Sequence, residues 1–122
     1  MFENEHIKME IIDGIVHASY KKGLKLTLAD ARKIVDERTR LLGGKSLNAI
    51  IFDGGVVSMD KPARDFLSSD AGIAGLKSVA IIENSFFSKM LINFFLKLTN
   101  PKIKVKAFGN QEDALKWLKT QP

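Results

Sequence analysis

Two short apolar runs constrain this chain more than any other feature. Residues 47–55 read LNAIIFDGG and residues 78–84 read SVAIIEN, apolar through the middle and closed by polar residues. Runs of that length, rich in β-branched residues and bounded by turn formers, are strands buried in a core. Around them the apolar residues recur at three- and four-residue spacing, the period of helices that pack by one face. Strands alternating with helices build a largely parallel sheet with helices laid on it.

The chain opens with a different pattern. HIKMEII (6–12) and IVHASY (15–20) flank Asp13-Gly14, a dipeptide suited to a two-residue hairpin because both positions accept positive φ. The two strands are expected as antiparallel neighbours, with His17 opposite Glu10 and His6 opposite Lys21. Neither histidine has a ligand partner at metal-binding spacing, so both are expected as solvent-facing residues of the hairpin.

The helices follow from caps and breakers. Thr27 with Asp30 three residues later makes a capping box, and Leu28, Ala31, Ile34, Val35, Arg38 and Leu41–Leu42 follow at helical spacing before Gly43-Gly44. Asp60 caps a helix over 61–69 with Pro62 in its first turn, where a missing N–H costs nothing, and 71–76 can form a further turn. A long helix, 86–99, ends at Asn100-Pro101. Strand 103–108 and a helix led by Asn110 close the chain, with acids early and lysines late to suit the helix dipole. The expected fold is α/β: one domain over 1–122, with a mixed, mostly parallel sheet of about five strands, an N-terminal antiparallel hairpin and about four helices.

Composition narrows the function. The chain has 122 residues and no cysteine, so disulfides, thiolate metal sites and a cysteine nucleophile are out of reach; a reducing cytoplasm fits that usage. The N-terminus MFENEHIKME has no apolar segment of the secretory kind. The greasiest stretch, Phe86–Leu98, is interrupted by Ser88, Lys89, Asn93 and Lys97, so no membrane span is expected. The net charge is +5. Its densest run is Lys97, Lys102, Lys104 and Lys106; the last three alternate with apolar residues as in a lysine-protected edge strand, and nucleic-acid binding is not expected. No phosphate-binding glycine loop and no nucleophile elbow occurs. Asp53 ends a buried strand, but the companions that phosphoryl transfer needs, further carboxylates with a lysine and a hydroxyl, are not in place. No catalytic residue, metal ligand or cofactor is assigned.

The layout of a strand pair, a helix and then a strand ending in aspartate resembles the STAS domains, which include the SpoIIAA-like anti-sigma-factor antagonists and the cytoplasmic domains of sulfate transporters. In residues the resemblance rests on AIIFDGGVVSMDKPARDFL (49–67). NSFFSKMLINFFLKLTNPKIKVKAF (84–108) is similar to small stand-alone bacterial STAS-like proteins. Regulated antagonists carry Asp-Ser-Ser/Thr-Gly at the start of the helix after this loop, and a partner kinase phosphorylates the second hydroxyl residue. Met59-Asp60 matches the lead-in, but Lys61 and Pro62 stand in place of the hydroxyls and Ala63 in place of the glycine. The resemblance thus implies a STAS-like module without the usual switch, with Asp60 and Pro62 as a helix cap. Ser58 is the nearest remaining hydroxyl and the alternative phosphorylation site, beside a helix N-terminus that tolerates phosphate.

Helix 86–99 carries an apolar arc wider than the roughly 100° stripe that covers a sheet. Phe86, Phe87, Met90, Phe94 and Phe95 form its centre. Two functions are expected from it: association with a protein partner or a second copy, or a pocket for an apolar small molecule or lipid. A phosphotransfer enzyme built on Asp53 is the remaining alternative and is not expected, because its companions are missing.

Overall fold

The computed structural model of the chain describes residues 1–54, 57–82 and 103–122. Eight strands are found there: β1 (Phe2–Glu3), β2 (Ile7–Ile12), β3 (Ile15–Tyr20), β4 (Lys25–Leu26), β5 (Leu47–Asp53), β6 (Ser58–Met59), β7 (Leu76–Ile82) and β8 (Lys104–Phe108). The four helices among these residues are α1 (Leu28–Leu42), α2 (Lys61–Leu67), α3 (Asp70–Ile73) and α4 (Gln111–Lys119).

Six strands form one sheet in the order β1-β2-β3-β5-β7-β8, and β4 pairs with β6 as a separate two-stranded sheet. The β2–β3 hairpin turns at Asp13 (φ 51°) and Gly14 (φ 75°). Its register places Glu10 opposite His17 and Ile7 opposite Tyr20, as the turn dipeptide dictates. From β3 onward the pairs β3–β5, β5–β7 and β7–β8 are all parallel. The sheet has one strand more than expected, because Phe2 and Glu3 pair antiparallel with Met9 and Lys8.

Alternation along each strand divides the core between the two faces of the sheet. On one face Val16, Ala49, Val79 and Ile81 pack with Leu42 of α1. Ile7, Met9 and Ala18 continue that face toward Ala31 and Ile34 of α1 and Ala63 of α2. On the other face Ile15, Ile50 and Ala80 meet Ala114 and Leu118 of α4. α1 forms where expected: Thr27 accepts from the Asp30 N–H, Asp30 accepts from the Thr27 N–H in return, and Gly43 ends the helix in the left-handed conformation.

The hairpin histidines are less exposed than expected. The side chain of His6 is 21% exposed, with Nε2 3.2 Å from the Asp30 carboxylate and 3.4 Å from Glu5. It joins the start of β2 to the first turn of α1. His17 is half-buried and stacks on Phe52 of the neighbouring strand at 6.2 Å between ring centroids. An imidazole has an apolar body, and sheet neighbours cover it where the strand pattern alone leaves it open.

Candidate functional site

Two places on the α1 face of the sheet gather the groups with functional potential: the first turn of α2, and a cavity around Arg38.

The chain enters α2 through β6, which is tied to residues 24–26. The Val57 N–H donates to the Leu24 carbonyl at 2.7 Å, the Asp60 N–H donates to the Leu26 carbonyl at 3.2 Å, and Ser58 pairs with Lys25. Ser58 is exposed, lies in a strand and precedes the cap. Asp60 is the N-cap, with extended backbone, and its Oδ1 accepts from the Ala63 N–H at 2.9 Å. Pro62 occupies the first turn, Lys61 pairs with Asp65 at 2.7 Å, and Ala63 is wholly buried. The carboxylate of Asp60 therefore takes up an N–H that an incoming anion would otherwise use. Among residues 60–63 no side chain carries a hydroxyl.

The cavity lies between α1, α3 and the strands β5, β7 and β8. Its volume is about 60 Å³, and Tyr20, Ile51, Met59, Leu76, Val79 and Ile103 line it with Arg38. Arg38 sits in the buried stripe of α1 with Ala31, Ile34, Val35 and Leu42, and is only 8% exposed. Its Nη2 donates to the carbonyl oxygens of Gly72 at 2.6 Å and Ala74 at 3.2 Å, which holds α1 against the turn between α3 and β7. Its Nε is buried with no acceptor among the described residues. Burial pushes the guanidinium below its ordinary value, and the neighbouring Tyr20 acts in the opposite direction. Among the described residues no carboxylate faces it. Gly72 is buried at this turn because a side chain there would run into the Phe66 carbonyl and the Leu67 backbone.

The sequence places Arg38 on the apolar stripe of α1 but gives it no role. The signal was present: one permanently charged residue at a position whose neighbours, three or four residues away, are all apolar. Phe86, Phe87, Met90, Phe94 and Phe95 lie outside the described residues, as do Glu83 and Lys102. Asp53 closes β5 opposite Tyr20. Among the described residues no group of three or more acidic or histidine side chains is placed to hold a metal ion, and no helix is long and apolar enough to cross a membrane.

A crystal structure of an uncharacterized protein of the DUF3478 family with a SpoIIAA-like fold, from Shewanella loihica PV-4, is similar over 97% of this chain and 98% of that one, with a TM-score of 0.66 at 23% identity. At that identity the likeness is one of fold, and the fold of this chain is SpoIIAA-like. Comparison with curated proteins gives no match. Residues 9–121 match the model of a family described as a domain of unknown function, DUF7793. By that match, which takes in every element from β3 to α4 and most of β2, the chain belongs to the DUF7793 family.

Proposed function

We propose that this SpoIIAA-like chain is a non-enzymatic binding module that acts by protein association, with a partner or a second copy, and without a phosphoserine switch. The observation that carries this reading is the first turn of α2. Asp60 accepts from the Ala63 N–H, and Pro62 stands where the regulated STAS proteins have the hydroxyl that a kinase modifies. Proline has no oxygen to phosphorylate, and the capping carboxylate repels an added anion. The contact surface in this reading is the apolar set Phe86, Phe87, Met90, Phe94 and Phe95, and Ser58 is an exposed but unregulated hydroxyl. The test combines sedimentation of the purified protein, for self-association, with intact-mass measurement of protein taken from its own cells. A dimer or a stoichiometric complex, formed by protein without phosphate, is expected. A monomer that retains no partner removes the association. Stoichiometric phosphate on Ser58 that changes the bound proteins removes the switchless reading.

A second reading, a carrier or sensor of an apolar small molecule, is favoured by the cavity around Arg38, since a mostly apolar recess with one placed polar group is the usual form of a small-ligand site. Native mass spectrometry of the freshly purified chain is expected to show added mass that organic extraction removes. Protein that carries no added mass counts against it.

A further inference from the structure

We infer that Arg38 anchors the acid group of a short apolar carboxylate held in the cavity between α1, α3 and the strands β5, β7 and β8; this rests on the reading of that cavity as a ligand site. A guanidinium keeps its charge throughout the physiological range and is among the costliest groups to bury without a counter-charge. Here it is 8% exposed, and its bonds among the described residues go to backbone carbonyls of Gly72 and Ala74. Those oxygens carry only partial charge, and a neutral amide could hold the same turn at a smaller desolvation cost. The Nε–H remains buried without an acceptor among the described residues. A carboxylate would supply the acceptor and the counter-charge that the described residues do not, through a hydrogen bond of the stronger, charge-assisted kind.

The other walls set the rest of the molecule. Among the described residues Ile51, Met59, Leu76, Val79 and Ile103 offer hydrocarbon beside the ring of Tyr20, which suits an alkyl chain. Size excludes a long chain inside the cavity. A cavity of about 150 Å³ holds benzene, so about 60 Å³ holds the acid group with little of its chain, and further carbons lie at the cavity mouth. That suits a carboxylate with a chain of a few carbons. Phosphate esters and dicarboxylates bring charge for which the walls have no second cation among the described residues.

Butyrate and its neutral isostere butyramide separate the anchor from the cavity. In an amide NMR titration of the whole protein at neutral pH, butyrate is expected to shift Ile51, Gly72 and Val79 saturably. Butyramide is expected to bind the same residues about tenfold more weakly or worse. Arg38→Met is expected to lose the preference, and Arg38→Lys to keep part of it. The ratio on the unaltered protein decides even if Arg38→Met fails to fold. Equal affinity for the two probes overturns the anchor while leaving an apolar ligand site standing. No response to either probe, or butyrate shifts confined to surface lysines, overturns both and leaves Arg38 as a bracket between α1 and the α3–β7 turn.

Discussion

Asp60 and Gly72 show how much of this site rests on single residues. The Asp60 carboxylate satisfies one N–H of the first turn of α2, and removing such a cap costs about 1 kcal/mol. Asp60→Ala is therefore expected to lower the unfolding free energy measured in urea by that amount, while Asp60→Asn, which keeps the acceptor, leaves it nearly unchanged. A large loss of partner binding in Asp60→Ala at unchanged stability would show that the carboxylate does more than cap. Gly72 is constrained by space: a methyl group there meets the Phe66 carbonyl and the Leu67 backbone, neither of which can swing aside as a side chain would. Gly72→Ala is expected to cost about 1–3 kcal/mol, the range for overpacking a tight site. Because the Gly72 carbonyl accepts from Arg38, the same change should also alter the amide signals of α1 around Arg38. A variant as stable as the parent would mean that the α2–α3 turn opens more easily than its contacts suggest.

Among the elements, legibility followed the strength of the local chemistry. The hairpin could be read to its register because Asp13-Gly14 admits positive φ at both positions and the alternation then leaves one pairing. α1 could be read from its capping box and its glycine stop. β1 could not, since two residues carry no periodicity and Phe2–Glu3 becomes a strand only because Met9 and Lys8 present an unpaired edge. The β4–β6 pair escaped for the same reason. The cavity was hidden because its walls come from elements far apart in sequence, although Arg38 within an apolar stripe pointed to it. β8 makes the last element-scale claim testable. It ends the sheet among the described residues, and Lys104 and Lys106 are exposed on it while Val105 and Ala107 pack inward. If those lysines guard the edge, replacing both with threonine should raise the mass seen by light scattering at high concentration without changing thermal stability. An unchanged mass would take that role from them.

For the whole molecule, several groups bind protons more weakly in the folded chain than outside it, so their effects on stability add. His17 is lowered from 6.5, first by burial and against the pull of Glu10 and Asp13. Asp30 is lowered from 3.8, chiefly by the Thr27 N–H, and Glu37 from 4.5, chiefly by its hydrogen bond to Lys33. A histidine whose folded value is depressed favours the folded state fully above its unfolded value. It loses that contribution as pH falls from about 6.5 toward the lower folded value, because the unfolded chain takes up the proton first. The depressed carboxylates contribute above their unfolded values and lose that contribution as pH falls through their folded ones, at more acid pH. Acidification should therefore weaken the fold in two steps, the first from His17 and the second from Asp30 and Glu37. The Glu37 part involves an exposed lysine and should shrink in salt. Urea midpoints at about pH 7.5 and about pH 5.5 bracket the first step, and the midpoint is expected to be lower at the acid value. In His17→Gln that difference should diminish while the later acid loss persists. If the parent is equally stable at both pH values, the imidazole stacked on Phe52 is as well hydrated in the fold as in the open chain, and the second face of the sheet is looser around β3 than its packing implies.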